Sequence, residues 1–266
     1  MQGRTELPPP PPLQPRSVGE ILETAFRLYG RHWAVLMQIV AVVVVPLTLL
    51  QYLVGDAVSG NVTTTTNGQV ALQEGAGQGI LAGFLVAVLG LLILQILYGA
   101  VAWAVATVLV GRQPDIGESY RFGYRRMWSI LLVGVLFALA VFGGLILFVV
   151  PGVIFAVRFS VSVPALVVEG RRGTEALSRS WNLVRGYSWP VFGAFLVAFL
   201  LTSIVNSVLT STSANWFVQG VLASIGSIVT TPFVGLVIGL IYFDLRVRKE
   251  MLDVATLDRE LQAASS

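Results

Sequence analysis

Six stretches of this 266-residue chain carry almost no charge, and that pattern limits the fold before any motif is considered. They cover residues 33–54, 79–110, 128–150, 153–168, 190–209 and 216–243. A helix rises about 1.5 Å per residue, so about 20 residues cross a hydrocarbon core of ~30 Å. Five of the stretches reach that length. The fourth is shorter and contains Arg158, but it follows Pro151-Gly152, which reads as a tight turn, so it is expected to be the return arm of a hairpin. The expectation is an all-α polytopic membrane protein with six transmembrane helices. Composition agrees: 55% of residues are hydrophobic and 12% charged, about half the charged share of a soluble domain.

The positive charges sort by side of the membrane. Arg4, Arg16, Arg27 and Arg31 precede the first span, and Arg112, Arg121, Arg125 and Arg126 lie between the second and third. Arg171, Arg172, Arg179 and Arg185 separate the fourth from the fifth, and Arg246, Arg248, Lys249 and Arg259 follow the sixth. Only Arg158 of the 17 basic residues falls within a span. By the positive-inside rule both termini are expected in the cytoplasm, the chain lying in the cell membrane. The net charge of +3 then marks topology, not nucleic-acid binding.

The cytoplasmic segments share a spacing. Each starts with Glu and places apolar residues two, six and nine positions later: Glu20 with Leu22, Phe26 and Tyr29; Glu118 with Tyr120, Tyr124 and Met127; Glu175 with Leu177, Trp181 and Val184. Steps of four and three put these side chains on one helical face. Ser17 with Glu20, and Asp115 with Glu118, have capping-box spacing. The reading is three interfacial amphipathic helices, each followed by a transmembrane hairpin, in three repeats. Their aromatic faces would dip into the acyl boundary, or pack on one another as a small cytoplasmic unit. Arg27, Arg31, Arg121, Arg125, Arg126, Arg179 and Arg185 are the expected contacts to anionic inner-leaflet headgroups. The domain reading is a disordered Pro-rich cytoplasmic tail over residues 1–16, a transmembrane domain over 17–250, and a cytoplasmic C-terminal tail over 251–266.

Chemistry is sparse. The sequence has no cysteine and one histidine, His32, so thiolate nucleophiles, disulfides and His-pair sites are excluded. No acid–base pair, nucleophile elbow or phosphate loop occurs in the spans, and no cofactor or metal is expected. Arg158 is the candidate functional residue, because a charge deep in a span costs about 2.5–3.5 kcal/mol and needs a partner or water. Gln95, Ser160, Ser162, Thr230 and Thr231 are the polar residues expected to form a site around it. Small residues at Gly79, Gly83 and Ala87, and at Ser227, Thr231, Gly235 and Gly239, suit close helix contact.

Four segments together carry a family resemblance: Ser17-Val18-Gly19-Glu20-Ile21-Leu22; Pro151-Gly152 with Val157-Arg158-Phe159-Ser160; Glu175-Ala176-Leu177-Ser178-Arg179-Ser180-Trp181; and Tyr242-Phe243-Asp244-Leu245-Arg246-Val247-Arg248-Lys249-Glu250. Over residues 17–253 the chain resembles the bacterial membrane-domain family named after the multi-pass region of some glycerophosphoryl diester phosphodiesterases. The family commonly has Gly after the closing Lys-Glu, where this chain has Met251. In those enzymes catalysis belongs to a separate soluble barrel with two histidines and a metal, so the resemblance implies a membrane module and carries over no catalytic residue. The expected function is non-catalytic: organising lipids or partner proteins at the membrane. The alternative is a small permease or lipid transporter with a polar site around Arg158.

Overall fold

The computed structural model describes residues 13–59, 62–64, 70–72, 76–113, 117, 126–211 and 215–265. Most of the Pro-rich tail and most of the second amphipathic segment, with Arg121, Arg125 and the Asp115–Glu118 cap, lie outside the described residues, as do the side chains of Gly79 and Ala87.

The chain enters helix α1 (Val18–Ser59) through a reciprocal cap. The Ser17 amide donates to Glu20 Oε2 at 2.6 Å, and the Glu20 amide to Ser17 Oγ at 3.3 Å. The first amphipathic segment and the first span run on through α1 as two helices joined across a kink at His32. α1 bends twice. At His32 the backbone leaves helical values (φ −118°, ψ 19°). A second bend, of 52°, separates residues 18–41 from 43–51. Pro46 explains it, because proline has no amide for the Val42 carbonyl and its ring crowds that oxygen. The buried face of this amphipathic segment is Ile21, Thr24, Ala25 and Leu28, one step round from the expected Leu22–Phe26–Tyr29 face. Phe26 stays 54% exposed, its ring 4.5 Å from that of Phe233.

After a short antiparallel pair, β1 (Val62–Thr64) and β2 (Val70–Leu72), with Val62 opposite Leu72, come the long helices. They are α2 (Ala76–Leu109), α3 (Met127–Leu147), α4 (Val149–Arg158), α5 (Ser162–Glu169), α6 (Thr174–Val184), α7 (Ser188–Thr210), α8 (Trp216–Glu250) and α9 (Val254–Ser265). Among the described residues five segments are long and apolar enough to cross a bilayer, α4 and α5 counting together, and bent α1 makes a sixth. The fold is all-α and multi-pass.

Two helices organise the rest. α1, α2 and α7 all pack on α8, and α1, α3 and α5 also meet α2. Gly235 and Gly239 let α8 lie against Val101 and Val105: a Cβ on Gly235 would stand 2.8 Å from Val101 Cγ1. Gly99 admits Val163 and Val167 of α5 in the same way. The α3–α4 hairpin is tighter than its sequence suggests. The chain reverses at Phe148, which is extended (φ −163°, ψ 155°), and the expected Pro151-Gly152 turn lies in the first turn of α4. Proline fits there because first-turn amides lack an intrahelical acceptor. Gly152 instead meets Gly144, whose Cβ would stand 2.8 Å from the Gly152 Cα. The tip of the hairpin faces outward, Ile146 being 85% exposed, as suits a surface solvated by lipid.

The expectation for the third amphipathic segment changes. The third amphipathic segment, α6, is not an interfacial float: Ala176, Leu177, Ser180, Leu183 and Val184 are buried. Its apolar face finds partners in α3, α4, α5 and α8, so lipid is not needed to cover it. The C-terminal segment carries a helix of its own. α9 docks on α5 and α2, burying Leu252, Leu257 and Leu261, because the i, i+4 pair Leu257 and Leu261 gives it an apolar stripe.

Candidate functional site

Three regions of the structure are candidates for function. The first is a charged knot at the ends of α5, α6 and α8. Tyr242, Arg246 and Glu250 recur every four residues on one side of α8, and Asp244 and Arg248 do so on the other. On the first side, the Glu169 carboxylate that ends α5 accepts from Tyr242 Oη at 2.8 Å, Arg179 Nε at 2.9 Å and Arg171 Nε at 2.8 Å. Arg246 donates both terminal nitrogens to Glu260 of α9, at 2.6 and 2.8 Å, and Nε to Glu250 at 3.0 Å. Arg179 also reaches Glu250 at 2.5 Å. Burial works against the charge of Arg179, but the hydrogen bonds to Glu250 and Glu169 outweigh it, so its pKa is raised above the ordinary arginine value. On the second side, Asp244 takes Arg248 at 2.7 Å and the Arg16 amide at 2.6 Å, while Arg248 donates to the Arg16 carbonyl at 2.6 Å. Arg112 and Asp258 add a link from α2 to α9 at 2.6 Å.

This knot corrects the headgroup assignment. Arg179 is held by two carboxylates and faces the protein. Arg126 donates to the Leu166 carbonyl at 3.1 Å, near the end of α5. Arg27, exposed and paired with Glu23, and exposed Arg31 and Arg185 remain free to meet a membrane surface.

The second region is Arg158. Its guanidinium lies over the Trp181 ring at 4.9 Å, and Trp181 packs on Phe155 and Phe159. Nε and Nη1 are buried with no hydrogen-bond partner. The expected polar ring does not assemble. Ser160 Oγ donates to the Val157 carbonyl at 2.8 Å, and Thr230 Oγ1 to the Gly226 carbonyl at 2.9 Å while accepting from Asn206. Ser162 is buried in α5, Thr231 stays on α8, and Gln95 packs below Gly134. Short hydroxyl side chains on helices bond to their own backbone first, which is why sequence depth alone misplaced them.

The third region was not foreseen. A cleft of about 840 Å³ opens among α2, α3, α4, α7 and α8. Phe137, Phe159, Phe192, Phe195 and Phe199 wall it, and no charged residue lines it. Its polar lining is Gln95, Tyr98, Ser160 and Thr202. Arg158 is not part of its wall. The available signal was the run of phenylalanines at 192, 195 and 199, which is helically spaced along α7 but indistinguishable by composition from lipid-facing residues.

The fold and cleft together define a multi-pass helical membrane protein with an uncharged cavity among its spans. Comparison with protein-family models, curated proteins and solved structures finds no match for the chain.

Proposed function

We propose that this protein is a non-catalytic lipid-organising protein of the cell membrane, with both termini in the cytoplasm. The observation that carries the reading is the uncharged, phenylalanine-walled cleft within the spans. A mostly apolar cavity bathed in hydrocarbon is filled by lipid more readily than by ions, because its wall carries no charge to compensate for lost hydration. The one-sided distribution of basic residues supports the orientation, and Arg27, Arg31 and Arg185 are exposed where anionic headgroups of the inner leaflet would lie. The resemblance of the closing motif to a membrane module supports a role separate from catalysis, and in this chain that motif is spent on holding helices together.

The test is lipid retention. Native mass spectrometry of the detergent-purified protein should show lipid that survives washing, and Ala156→Trp, which fills the cleft from α4, should release it. A wild-type protein washed free of lipid, or a variant that retains as much as wild type, overturns the reading. The transporter reading loses its main support because the cavity does not include Arg158.

A further inference from the structure

Two polar side chains in the cleft have no partner among the described residues. Gln95 and Tyr98 lie one turn apart on the same face of α2, and neither side chain hydrogen-bonds to any described residue. The other two polar residues of the wall are satisfied: Ser160 Oγ donates to Val157 and Thr202 Oγ1 to Phe199, the latter at 3.0 Å. An amide or hydroxyl left unpaired in an apolar setting costs about 1–3 kcal/mol. Gln95 is also fixed in place. Gly134 of α3 closes over its stem so nearly that a Cβ there would stand 3.2 Å from Gln95 Cγ. The amide is therefore held beside the cavity, and its donors have no acceptor among the described residues.

We propose that the cleft binds one acyl chain and the ester region of a glycerolipid, with Gln95 and Tyr98 donating hydrogen bonds to ester carbonyl oxygens. This rests on the lipid-holding reading and specifies its ligand. Ester oxygens accept without carrying charge, which matches two donors in a wall without ions. A free carboxylate or phosphate inside would bring a charge that the lining cannot pair. A bare hydrocarbon chain would leave both donors unmet. A transmembrane helix from a partner fits the two donors less well, because its backbone carbonyls are already bonded within the helix.

The experiment uses the full chain in bilayers containing phosphatidylethanolamine with a photoactivatable diazirine on one acyl chain, prepared as the diester and as the diether. The diether has the same chains and headgroup but no carbonyl. Cross-linked peptides are mapped by mass spectrometry. The expected result is labelling of the α7 peptide carrying Phe195 and Phe199, with the diester competing about tenfold better than the diether. In the Gln95→Leu, Tyr98→Phe double variant that preference should fall to about one. Cleft labelling with equal competition by both lipids in wild type overturns the carbonyl assignment while leaving the lipid-holding reading intact. Labelling confined to the outward hairpin tip around Ile146 overturns both. Because the wild-type diester–diether comparison stands alone, a variant that fails to fold does not rescue the proposal.

Discussion

Replacing Glu169 by Gln keeps the size of the side chain and removes its charge from the knot. The wild-type carboxylate is 8% exposed and serves three donors. Arg171 is 45% exposed, so its share is under about 1 kcal/mol. Arg179 and Arg246 keep Glu250 and Glu260, so neither is orphaned outright. The losses that count are the buried bonds from Tyr242 and Arg179, at about 1.5–3 kcal/mol each before relaxation. A net cost of about 3 kcal/mol follows, at the lower edge of what breaking one side of a buried pair costs. For a chain of this size that lowers the melting temperature by roughly 6–12 °C. Thermal unfolding in detergent, followed by tryptophan fluorescence, reads the shift. Glu23→Gln is the control, since that pair with Arg27 is 64–68% exposed and contributes about 0.5 kcal/mol or less. A double-mutant cycle of Glu169→Gln with Tyr242→Phe should return a coupling of about 1 kcal/mol. If Glu169→Gln melts with Glu23→Gln, or the coupling vanishes, the knot does not hold the helices together.

Three further outcomes are expected. Cysteines placed at Thr65 or Ser213 should be labelled from outside intact cells, and those at Gly123 or Ser266 should not; external labelling at Gly123 reverses the topology. Gly144→Ala should destabilise by about 1–3 kcal/mol because its Cβ meets the Gly152 backbone, whereas neighbouring Gly143, with nothing within 4 Å, should gain about 0.5–1 kcal/mol on the same change; equal melting shifts for the two would refute the hairpin packing. Arg158→Leu should cost no more than the contact over Trp181, about 0.5–2 kcal/mol, since two of the guanidinium nitrogens have no acceptor to lose; a fall of more than about 3 kcal/mol would refute the absence of a hydrogen-bonding partner.

Apolar run length made the spans legible, because a requirement of about 20 residues leaves few alternatives. The Ser17–Glu20 cap and the glycine face of α8 were also legible, since each depends only on fixed helical spacing. What failed was the assignment of partners. The three amphipathic segments offered an apolar face each, and nothing in a hydropathy pattern says whether lipid or protein covers it; for α6 the answer is protein. The polar ring around Arg158 failed for a related reason: equal depth in the membrane does not fix azimuth. The cleft was hidden because residues facing a cavity and residues facing lipid are equally apolar in a membrane protein. Gln95 was legible as a polar residue within a span, whereas Tyr98, one turn further on, was not.

The clasp between Arg16 and Asp244 has a temporal side. The two residues are 228 positions apart, so the first helix of the chain is synthesised long before the residues that anchor its start. At about 5–20 residues per second, roughly 10–50 s of translation separate them. Through that interval Arg16 has neither Asp244 nor Arg248, Arg179 lacks Glu250, and Glu169 lacks Tyr242. A chain that ends short of residue 244 thus has an incomplete last span and charged helix ends without their partners, a form that limited proteolysis can distinguish from the finished protein.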